Sequence, residues 1–492
     1  MSLDRSPEPE VQTENLAENL GGEPAGLVVV SNRLPIRLDD DEAATWHRSP
    51  GGLVSALTPV LRRRGGVWVG WAGHSGAVAV PDSYEGIALR AVPISANEYD
   101  DFYVGFANRT LWPLYHDAVR APSFERRWWH AYVLVNHRYA QAVAASAGSG
   151  ATVWVHDYHL QLVPMMLRSL RPDVRIGFFL HTPFPPQELY MQIPWRRELI
   201  EGLLGADLVG FQVPGAATNF ARLARKLTGA TGDNHLLEHD GRLVRVGAFP
   251  ISIDTAEITR RATRPQVIER ARQIRADLGF PDFVMLGVDR LDYTKGLQQR
   301  VKAVAELFAE GTLSTPAQVM IQVAVPSRGE DTYYKQERED LERLIGEVNG
   351  TFSDVGHAAI HYLHQSVDLD ELIALYLAAD VMLVTPLRDG MNLVAKEYVA
   401  SRVDDTGALV LSEFAGAARE LDGAILVNPH DLDGIKGAIR EVLDLDPGEA
   451  AARMRYLRGV VGRRDVHAWA RDFLATLSRP AGVEARGFEV VA

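Results

Sequence analysis

Two stretches in the second half of the chain decide the fold, VDRLDYTKGL (288–297) and PLRDGMNLVAKEYVA (386–400). Each follows a short apolar run, VMLGV (284–288) or VMLVT (381–385), and each leads into a helix-forming run. This order predicts, twice, a buried strand, a polar loop and a helix. In an open α/β sheet, ligands bind where the carboxyl ends of strands meet helix N-termini. We therefore expect these two loops to form a ligand site.

The two loops carry different chemical groups. The first presents Arg290 and Lys295, two cations suited to a diphosphate. The second presents Asp389, a run of backbone N–H groups from Gly390 onward, and Glu397 farther along. A helix N-terminus carries partial positive charge, so cations placed beside it indicate that an anion binds there. The alternative is that both cations are ordinary surface charges, and the repeated strand–loop–helix context favours the ligand site.

Composition restricts the class of protein. The chain has 492 residues, 47% of them hydrophobic, which is enough for two or three domains with substantial cores. Its net charge of −13 argues against nucleic acid as a partner, because the phosphates would be repelled. The absence of cysteine excludes disulfides, thiolate nucleophiles and cysteine metal sites. We find no secretory signal and no run near the ~18–20 apolar residues of a membrane helix, and we expect a cytoplasmic protein.

The organisation of the chain is a series of apolar runs that alternate with helical stretches. One series begins at LVVVSN (27–32) and a second begins at FVMLGV (283–288). Such alternation predicts an α/β fold with two doubly wound parallel sheets that face each other across a cleft. The predicted units are a flexible N-terminal tail (1–26), an N-terminal domain (27–255), a C-terminal domain (256–465), and a final segment (466–492) with a helix that returns to the N-terminal domain before a tail.

Polar residues also follow the predicted strands of the first half. Arg33 follows the first strand, and Asp157 and His181 lie at the ends of two later ones, so all three point to one edge of the sheet. Gly51 and Gly52 open a helix, and glycines there would let the backbone approach a phosphate closely. A pair of glycines by itself is weak evidence for a phosphate site. The aromatic stretch 102–116 supplies two flat rings suited to stacking on sugars, and both are equally ordinary as core residues. These two rings are Tyr103 and Trp112.

A zinc site is the competing interpretation of the histidines in the first half. His156, Asp157, His159 and His181 are common ligand types. On a strand, however, residues 156 and 159 would point to opposite faces, and the HxxH spacing lacks the helical pattern of a zinc enzyme. We therefore disfavour a metal site at these residues.

The motifs together resemble one enzyme family, the trehalose-6-phosphate synthases. The resemblance runs in order from about residue 27 to 475. It implies a retaining glycosyltransferase of the B-type fold, with two Rossmann-like domains, the first for the acceptor and the second for the donor. The implied reaction moves glucose from a nucleoside diphosphate glucose, either UDP- or ADP-glucose, to glucose 6-phosphate. The motifs are VVVSNRLP, GGLVSAL, WVGWAG, NRTLWPLYH, VWVHDYHL, IGFFLHTPFP, GVDRLDYTKGL, VPSRGE and PLRDGMNLVAKEYV.

The resemblance also implies a role for each site residue. The arginines of the acceptor site would grip its phosphate, and Trp71 is chosen there over Trp68. The implied catalytic residues are His181, Arg290, Lys295 and Asp389. The implied donor-binding residues are Gly52, Arg290, Lys295, Val367, Asp389, Gly390, Met391, Asn392, Leu393, Val394 and Glu397. The implied acceptor-binding residues are Arg33, Trp71, Tyr103, Trp112, Asp157 and Arg328.

The resemblance leaves several alternatives open. Two flanking carboxylates would suit a covalent glycosyl–enzyme, whereas the family pattern implies front-face attack. Cationic side chains reduce the need for a metal, so we expect no required cofactor, with stimulation by Mg²⁺ tolerated. We expect a homo-oligomer, either dimer or tetramer.

Another B-fold glucosyltransferase and a catalytically silent sugar-phosphate sensor are the competing functions. A phosphatase is disfavoured because DLDEL (368–372) and DLDGI (431–435) match only half of its motif and follow no apolar strand.

Overall fold

The computed structural model describes residues 25–38, 46–49, 51–76, 78–327 and 331–479. Arg328, most of the predicted N-terminal tail, the centre of the acidic segment 34–50 and residues 480–492 lie outside the described residues. The strands of the first sheet are β1 (Ala25–Arg33), β4 (Val67–Trp71), β5 (Ser83–Tyr84), β6 (Ile87–Ala91), β7 (Ala147–His156), β8 (Arg175–Phe179), β9 (Leu208–Phe211), β10 (Thr231–Gly232), β11 (Leu236–His239) and β12 (Arg242–Ala248). A small ribbon is formed by β2 (Ile36–Leu38) and β3 (Trp46–Arg48), and the strands of the second sheet are β13 (Phe283–Arg290), β14 (Gln318–Val325), β15 (Ile360–Leu363), β16 (Val381–Val384), β17 (Ala408–Ser412) and β18 (Ile425–Val427).

Helices cover both sheets. Those before β13 are α1 (Gly52–Arg64), α2 (Ala96–Glu98), α3 (Trp112–Tyr115), α4 (Arg126–Ser146), α5 (Val163–Leu170), α6 (Gln187–Tyr190), α7 (Arg196–Leu204), α8 (Pro214–Thr228), α9 (Thr255–Ala262) and α10 (Pro265–Asp277). Those after it are α11 (Leu297–Ala309), α12 (Thr332–Phe352), α13 (Leu369–Ala378), α14 (Leu393–Ser401), α15 (Leu432–Leu443), α16 (Pro447–Arg463) and α17 (Val466–Ser478). A π-helical segment spans Tyr99–Leu111, and short 3₁₀ turns span Tyr158–Leu160, Tyr293–Lys295 and Gly416–Arg419.

The two large sheets are built on parallel strands. The first has the order β10-β11-β12-β9-β8-β7-β1-β4-β6-β5 and is parallel from β12 to β6. The second has the order β15-β14-β13-β16-β17-β18 and is parallel throughout. Strand order reverses within each sheet, which opens a crevice at the carboxyl ends of the strands. The predicted α/β fold with two doubly wound parallel sheets is confirmed.

The strands that lead to the site are buried on both faces. Residues 284–289 of β13 and all four residues of β16 are buried, as expected for central parallel strands covered by helices. The strand that Asp157 was expected to end stops one residue earlier, at His156, because Asp157 takes a left-handed conformation with φ of 74° and turns the chain.

The last helix packs on the first sheet. Phe473 of α17 lies so close to two glycines of that sheet that a Cβ on Gly177 or Gly210 would come within 2.7 or 2.6 Å of its ring. The same ring stacks on Trp154 with centroids 4.8 Å apart. The two glycines thus form a groove that the aromatic ring fills, and this groove holds α17 against β8 and β9.

Ion pairs join the two sheet-bearing halves. Arg109 pairs with Asp331 at 2.9 Å, and Asp117 pairs with Arg388 at 3.1 Å. Farther back, Lys396 of α14 is buried and donates to the carbonyl of Ile251 at 2.9 Å, in the segment that connects the halves. Polar contacts therefore connect the two halves at three separate places. None of the described helices is long and apolar enough to cross a membrane.

We expect Phe473→Ala to lower the free energy of unfolding by about 3–5 kcal/mol, because it empties a groove shaped by two glycines. Urea denaturation monitored by tryptophan fluorescence measures the change. Phe280→Ala is the matched control, since that ring is 72% exposed, and it should change stability by less than about 0.5 kcal/mol. Equal losses in the two variants would contradict this role for Phe473.

Candidate active site

The two predicted loops meet at a single ion pair. Lys295 Nζ lies 2.6 Å from Asp389 Oδ2, and both side chains are largely buried. Burial by itself raises the pKa of Asp389, but the attraction and hydrogen bond of Lys295 outweigh it, so this pKa lies below its ordinary value. Asp389 is therefore an ionised carboxylate at neutral pH. The prediction that these loops lie together at one edge of the sheet is fulfilled in their geometry.

Local backbone structure places Lys295 in the cleft. Asp292 caps the short turn after β13, since its Oδ1 accepts the N–H of Thr294 at 3.0 Å. Gly296 follows in the left-handed region with φ of 65°, and a Cβ there would lie 2.1 Å from the carbonyl oxygen of Thr385. The glycine is thus required both by backbone conformation and by close packing against the end of β16.

The second loop ends in a helix cap. Asn392 has φ of 82° and its Oδ1 accepts the N–H of Ala395 at 3.0 Å, which caps α14. Its Nδ2 donates to Asp389 Oδ2 at 3.3 Å. The first turn of α14 begins at Leu393, whose Cδ1 would be only 2.9 Å from a Cβ on Gly52. The N-terminus of α14 therefore lies against the start of α1, as a site for a diphosphate requires.

The second loop also touches the first half of the chain. A Cβ on Gly390 would lie 2.0 Å from the carbonyl oxygen of His181, at the end of β8. His181 is itself tied to β7, because its N–H donates to Asp157 Oδ1 at 3.3 Å and its Nε2 lies 3.0 Å from His156 Nδ1. Burial raises the pKa of Asp157 to about 6 and lowers the pKa of His181 to about 3.

A cluster of aromatic rings surrounds Arg33 on the opposite side of the cleft. The guanidinium carbon of Arg33 lies 4.9 Å from the ring centre of Trp71 and 5.3 Å from that of Tyr103. The π-helical segment positions Tyr103, whose ring stacks on His159 at 5.6 Å. Such a pocket holds a cation in a fixed place while leaving its N–H donors for an anion.

Arg290 and Trp112 lie between these two groups of residues. The guanidinium carbon of Arg290, from the second sheet, lies 5.5 Å from the ring centre of Trp112, from the first half. Arg290 is exposed at the end of β13, so its N–H donors face the cleft. Arg290 and Trp112, predicted for donor and acceptor binding respectively, thus come together from the two halves of the chain.

Glu397 lies one turn into α14, beside a cavity of about 490 Å³ that Leu393 also lines. Its Oε2 accepts a hydrogen bond from the hydroxyl of Tyr376 at 3.1 Å. Burial raises its pKa to about 7, and the tyrosine opposes this shift. Val367, the predicted contact near the nucleotide base, is half-buried shortly before α13. A carboxylate that is half-ionised at neutral pH suits a ligand that supplies hydroxyl donors.

Comparison with known proteins identifies the family. The family model for glycosyltransferase family 20 matches residues 25–479. This chain belongs to that family. The family 20 relatives include the trehalose-6-phosphate synthases of Mycobacterium sp. (strain KMS), 54% identical over 93% of this chain and 96% of the relative, and of Mycolicibacterium smegmatis, 54% identical over 92% of each chain. The predicted resemblance is confirmed.

Solved structures agree with the family and with the fold. The α,α-trehalose-phosphate synthase (UDP-forming) of Burkholderia xenovorans, solved with glucose 6-phosphate, is 34% identical and covers 92% of this chain and 100% of that one, with a TM-score of 0.84. The E. coli protein, solved with UDP-2-fluoro glucose, is also 34% identical, with a TM-score of 0.84 over 92% of this chain and 99% of that one. The predicted B-type glycosyltransferase fold is confirmed.

Two buried residues near this family 20 site, His116 and Arg300, were not singled out from the sequence. His116 is buried near the Lys295–Asp389 pair, and burial, aided by Lys295, lowers its pKa to about 4. Arg300 is fully buried below the loop and pairs with Asp289 at 2.8 Å. Its position on an ordinary amphipathic helix hides this role. His116 lies in the quoted motif NRTLWPLYH and could have been singled out from it.

The competing motifs take structural roles. His159 lies in a short 3₁₀ turn rather than on a strand, which corrects the geometry assumed for the zinc alternative. Within the described part of the chain, no group of three or more metal-ligating side chains comes together. Asp368 and Asp431 each cap a helix by accepting a backbone N–H. Asp370 pairs with Arg261 at 2.6 Å. The two caps show that both acidic runs form the starts of helices.

We expect donor affinity to depend on pH through Glu397. If Glu397 accepts hydroxyl groups of the donor, its ionised form should bind the donor more tightly than its protonated form. Donor affinity should then rise with pH up to about pH 7, by at most about tenfold per pH unit, and level off above it. Calorimetric titration of UDP-glucose across this range measures it. Glu397→Gln should bind more weakly with a flat profile, whereas an unchanged profile in that variant would contradict the assignment.

Proposed function

We propose that this chain is a retaining glucosyltransferase that moves glucose from a nucleoside diphosphate glucose to glucose 6-phosphate. The products are α,α-trehalose 6-phosphate and the nucleoside diphosphate. The observation that carries the proposal is the Lys295–Asp389 pair of the donor loops, together with the contact of Arg290 with Trp112 of the first half. The family 20 relatives named trehalose-6-phosphate synthase support the same reaction.

The donor diphosphate is held by cations and backbone amides. Arg290 and Lys295 stabilise the negative charge that grows on the leaving diphosphate, and the N-terminus of α14 adds its own N–H groups. Gly52 lets α1 approach the same phosphates. We propose that no metal is required, because these groups supply the charge that a metal would otherwise provide. Assays in EDTA, with and without added Mg²⁺, test this statement.

The donor sugar and nucleotide are read by the second loop. Asp389 accepts the glucose hydroxyls, and Glu397 accepts the ribose hydroxyls. The remaining members of the donor site are Val367, Gly390, Met391, Asn392, Leu393 and Val394. We favour uracil as the base of the donor, because UDP and a UDP-sugar are named for solved relatives. Comparing the rates with UDP-, ADP- and GDP-glucose tests this choice.

Front-face attack is favoured over a covalent intermediate. The Asp389 carboxylate accepts from Lys295 at 2.6 Å and from Asn392 at 3.3 Å, contacts that lower its basicity and fix its orientation. Both contacts are made to Oδ2, and the positive charge of Lys295 beside it makes the carboxylate a weaker nucleophile. In the proposed mechanism, the leaving phosphate oxygen takes the proton of the acceptor hydroxyl. Trapping with a slow 2-fluoro donor tests it, since a glycosyl–enzyme adduct by mass spectrometry would overturn it.

Another B-fold glucosyltransferase is the competing function, and the acceptor pocket distinguishes the two. In our proposal, Arg33 and Arg328 bind the acceptor phosphate, while Trp71, Tyr103, Trp112 and Asp157 line the sugar. We further propose that the enzyme acts in the cytoplasm. We also propose that it is a dimer or tetramer, and light scattering of the purified protein tests this oligomeric state.

Removal of either donor-loop cation should lower turnover sharply. We expect Arg290→Ala and Lys295→Ala each to reduce kcat by ~10²–10³ at saturating donor, because each stabilises leaving-group charge. Release of nucleotide in a coupled assay measures the rate. Lys302→Ala, an exposed lysine on α11, is the matched control and should keep the normal rate. Near-normal turnover in either loop variant would overturn the proposed diphosphate site.

The acceptor phosphate should decide acceptor choice. We expect glucose to be a very poor substitute for glucose 6-phosphate, because Arg33 would lose its anionic partner. Arg33→Ala should lower kcat/KM for glucose 6-phosphate by an amount equivalent to about 2–4 kcal/mol of transition-state stabilisation, with donor affinity nearly unchanged. Arg33→Lys should recover part of the lost kcat/KM. Initial rates with both acceptors test this. If wild type used the two acceptors alike, the phosphate pocket would not exist.

A further inference from the structure

Two histidines meet at the bottom of the cleft. His156 ends β7, His181 follows the neighbouring strand β8, and His156 Nδ1 lies 3.0 Å from His181 Nε2. His156 is fully buried, and its ring lies 4.6 Å from that of Trp154 and 6.3 Å from that of Trp469. His181 is half-buried at the cleft, directly below Gly390. The buried histidine is thus placed to act on a site residue without touching the cleft itself.

Both imidazoles are neutral at the pH of an assay. Burial lowers the pKa of His181 to about 3, and burial followed by repulsion from His181 lowers the pKa of His156 well below its ordinary value. Their other neighbours are aromatic, and the carboxylate nearby, on Asp157, accepts the backbone N–H of His181. Two neutral imidazoles at this distance share one proton, so one ring donates and the other accepts.

The hydrogen-bond inventory of His156 decides the direction. Its Nε2 is buried and has no hydrogen-bond partner among the described residues. If Nδ1 were the acceptor, the ring hydrogen would sit on Nε2 as an orphaned buried N–H, which is rarer and more costly than an orphaned acceptor. The favoured tautomer therefore has its hydrogen on Nδ1, which donates to His181 Nε2. His181 must then carry its own hydrogen on Nδ1.

We propose that His156 is a positioning residue that fixes the tautomer of His181, so that His181 Nδ1–H is a permanent hydrogen-bond donor to an oxygen of the donor sugar. The two nitrogens of an imidazole diverge, so the edge opposite His156 is the one left for substrate. This inference rests on the proposed function, and it places the donor sugar at His181 because the donor loop lies directly against that residue at Gly390. It separates two roles, since His181 contacts substrate and His156 sets its proton.

Asparagine and aspartate at position 156 form a matched pair of variants. Both place an atom where His156 Nδ1 lies, and they have the same size. The Asn amide can donate to His181 Nε2 and preserve its tautomer. The Asp carboxylate accepts instead, which draws the His181 hydrogen to Nε2 and leaves a bare lone pair on Nδ1. Because the two variants match in shape and volume, a difference between them reflects the charge and hydrogen bonding at position 156 rather than packing.

The test measures kcat and donor KM for wild type, His156→Asn and His156→Asp with UDP-glucose and glucose 6-phosphate. Near pH 8 we expect the Asp variant to be about 10- to 100-fold slower than the Asn variant, because a donor to the sugar has become an acceptor. The ratio of their rates should approach one toward about pH 5.5, as His181 or the introduced carboxylate gains a proton and Nδ1–H returns. Thermal unfolding confirms that both variants are folded.

Several outcomes would overturn the inference. Equal rates in folded Asn and Asp variants across the pH range would do so. If the Asp variant does not fold, histidine-selective ¹⁵N NMR of wild type decides, with His181→Gln used to assign the signals. The expected result is a protonated Nδ1 and a bare Nε2 on His181, and the reverse pattern would contradict us. If wild type itself made no trehalose 6-phosphate, the proposed function would fail rather than the tautomer argument.

Discussion

The backbone of Gly390 and the carbonyl group of His181 approach so closely that a single carbon atom cannot be added between them. A Cβ on Gly390 would lie 2.0 Å from that carbonyl oxygen. The donor loop is supported equally closely from behind, because a Cβ on Gly416 would lie 2.0 Å from the carbonyl oxygen of Gly390. This contact sets the distance between the two sheets at the site. Asp389 and Asn392, on either side of Gly390, take their positions from it.

The electrostatic arrangement depends on the same contact. Lys295 would be a costly buried cation without Asp389, and the pair is formed where the loops of two neighbouring strands converge. Arg290 remains exposed at the cleft, and Arg300 supports the loop from below through Asp289. Carboxylates and cations therefore occupy separate positions within a few ångströms. In the proposed function, this arrangement lets one cleft bind both the phosphates and the hydroxyls of a nucleotide sugar.

The sequence predicted those parts of the site that follow apolar strands. Arg33, His181, Arg290 and Asp389 each come soon after a buried strand, so the rule for parallel sheets placed them at one edge. The roles of individual residues came from the family resemblance. His156 and Arg300 were not predicted, because their importance comes from neighbours distant in the chain, and a histidine at a strand end or an arginine on an amphipathic helix has no distinguishing pattern. Asp157 was predicted on a strand but has a left-handed backbone, which propensity alone does not reveal.

The activity of Gly390→Ala tests most directly whether this backbone contact sets the site. The new methyl group must displace the loop or the His181 strand end by about 1 Å, and a misplacement of that size costs about 10²-fold in rate. Gly437→Ala is the matched control, since nothing lies within 4 Å of its added carbon on α15. Our account predicts that Gly390→Ala folds but releases nucleotide about a hundred times more slowly at saturating substrates, while Gly437→Ala keeps the wild-type rate. A Gly390→Ala enzyme with the wild-type rate would contradict it.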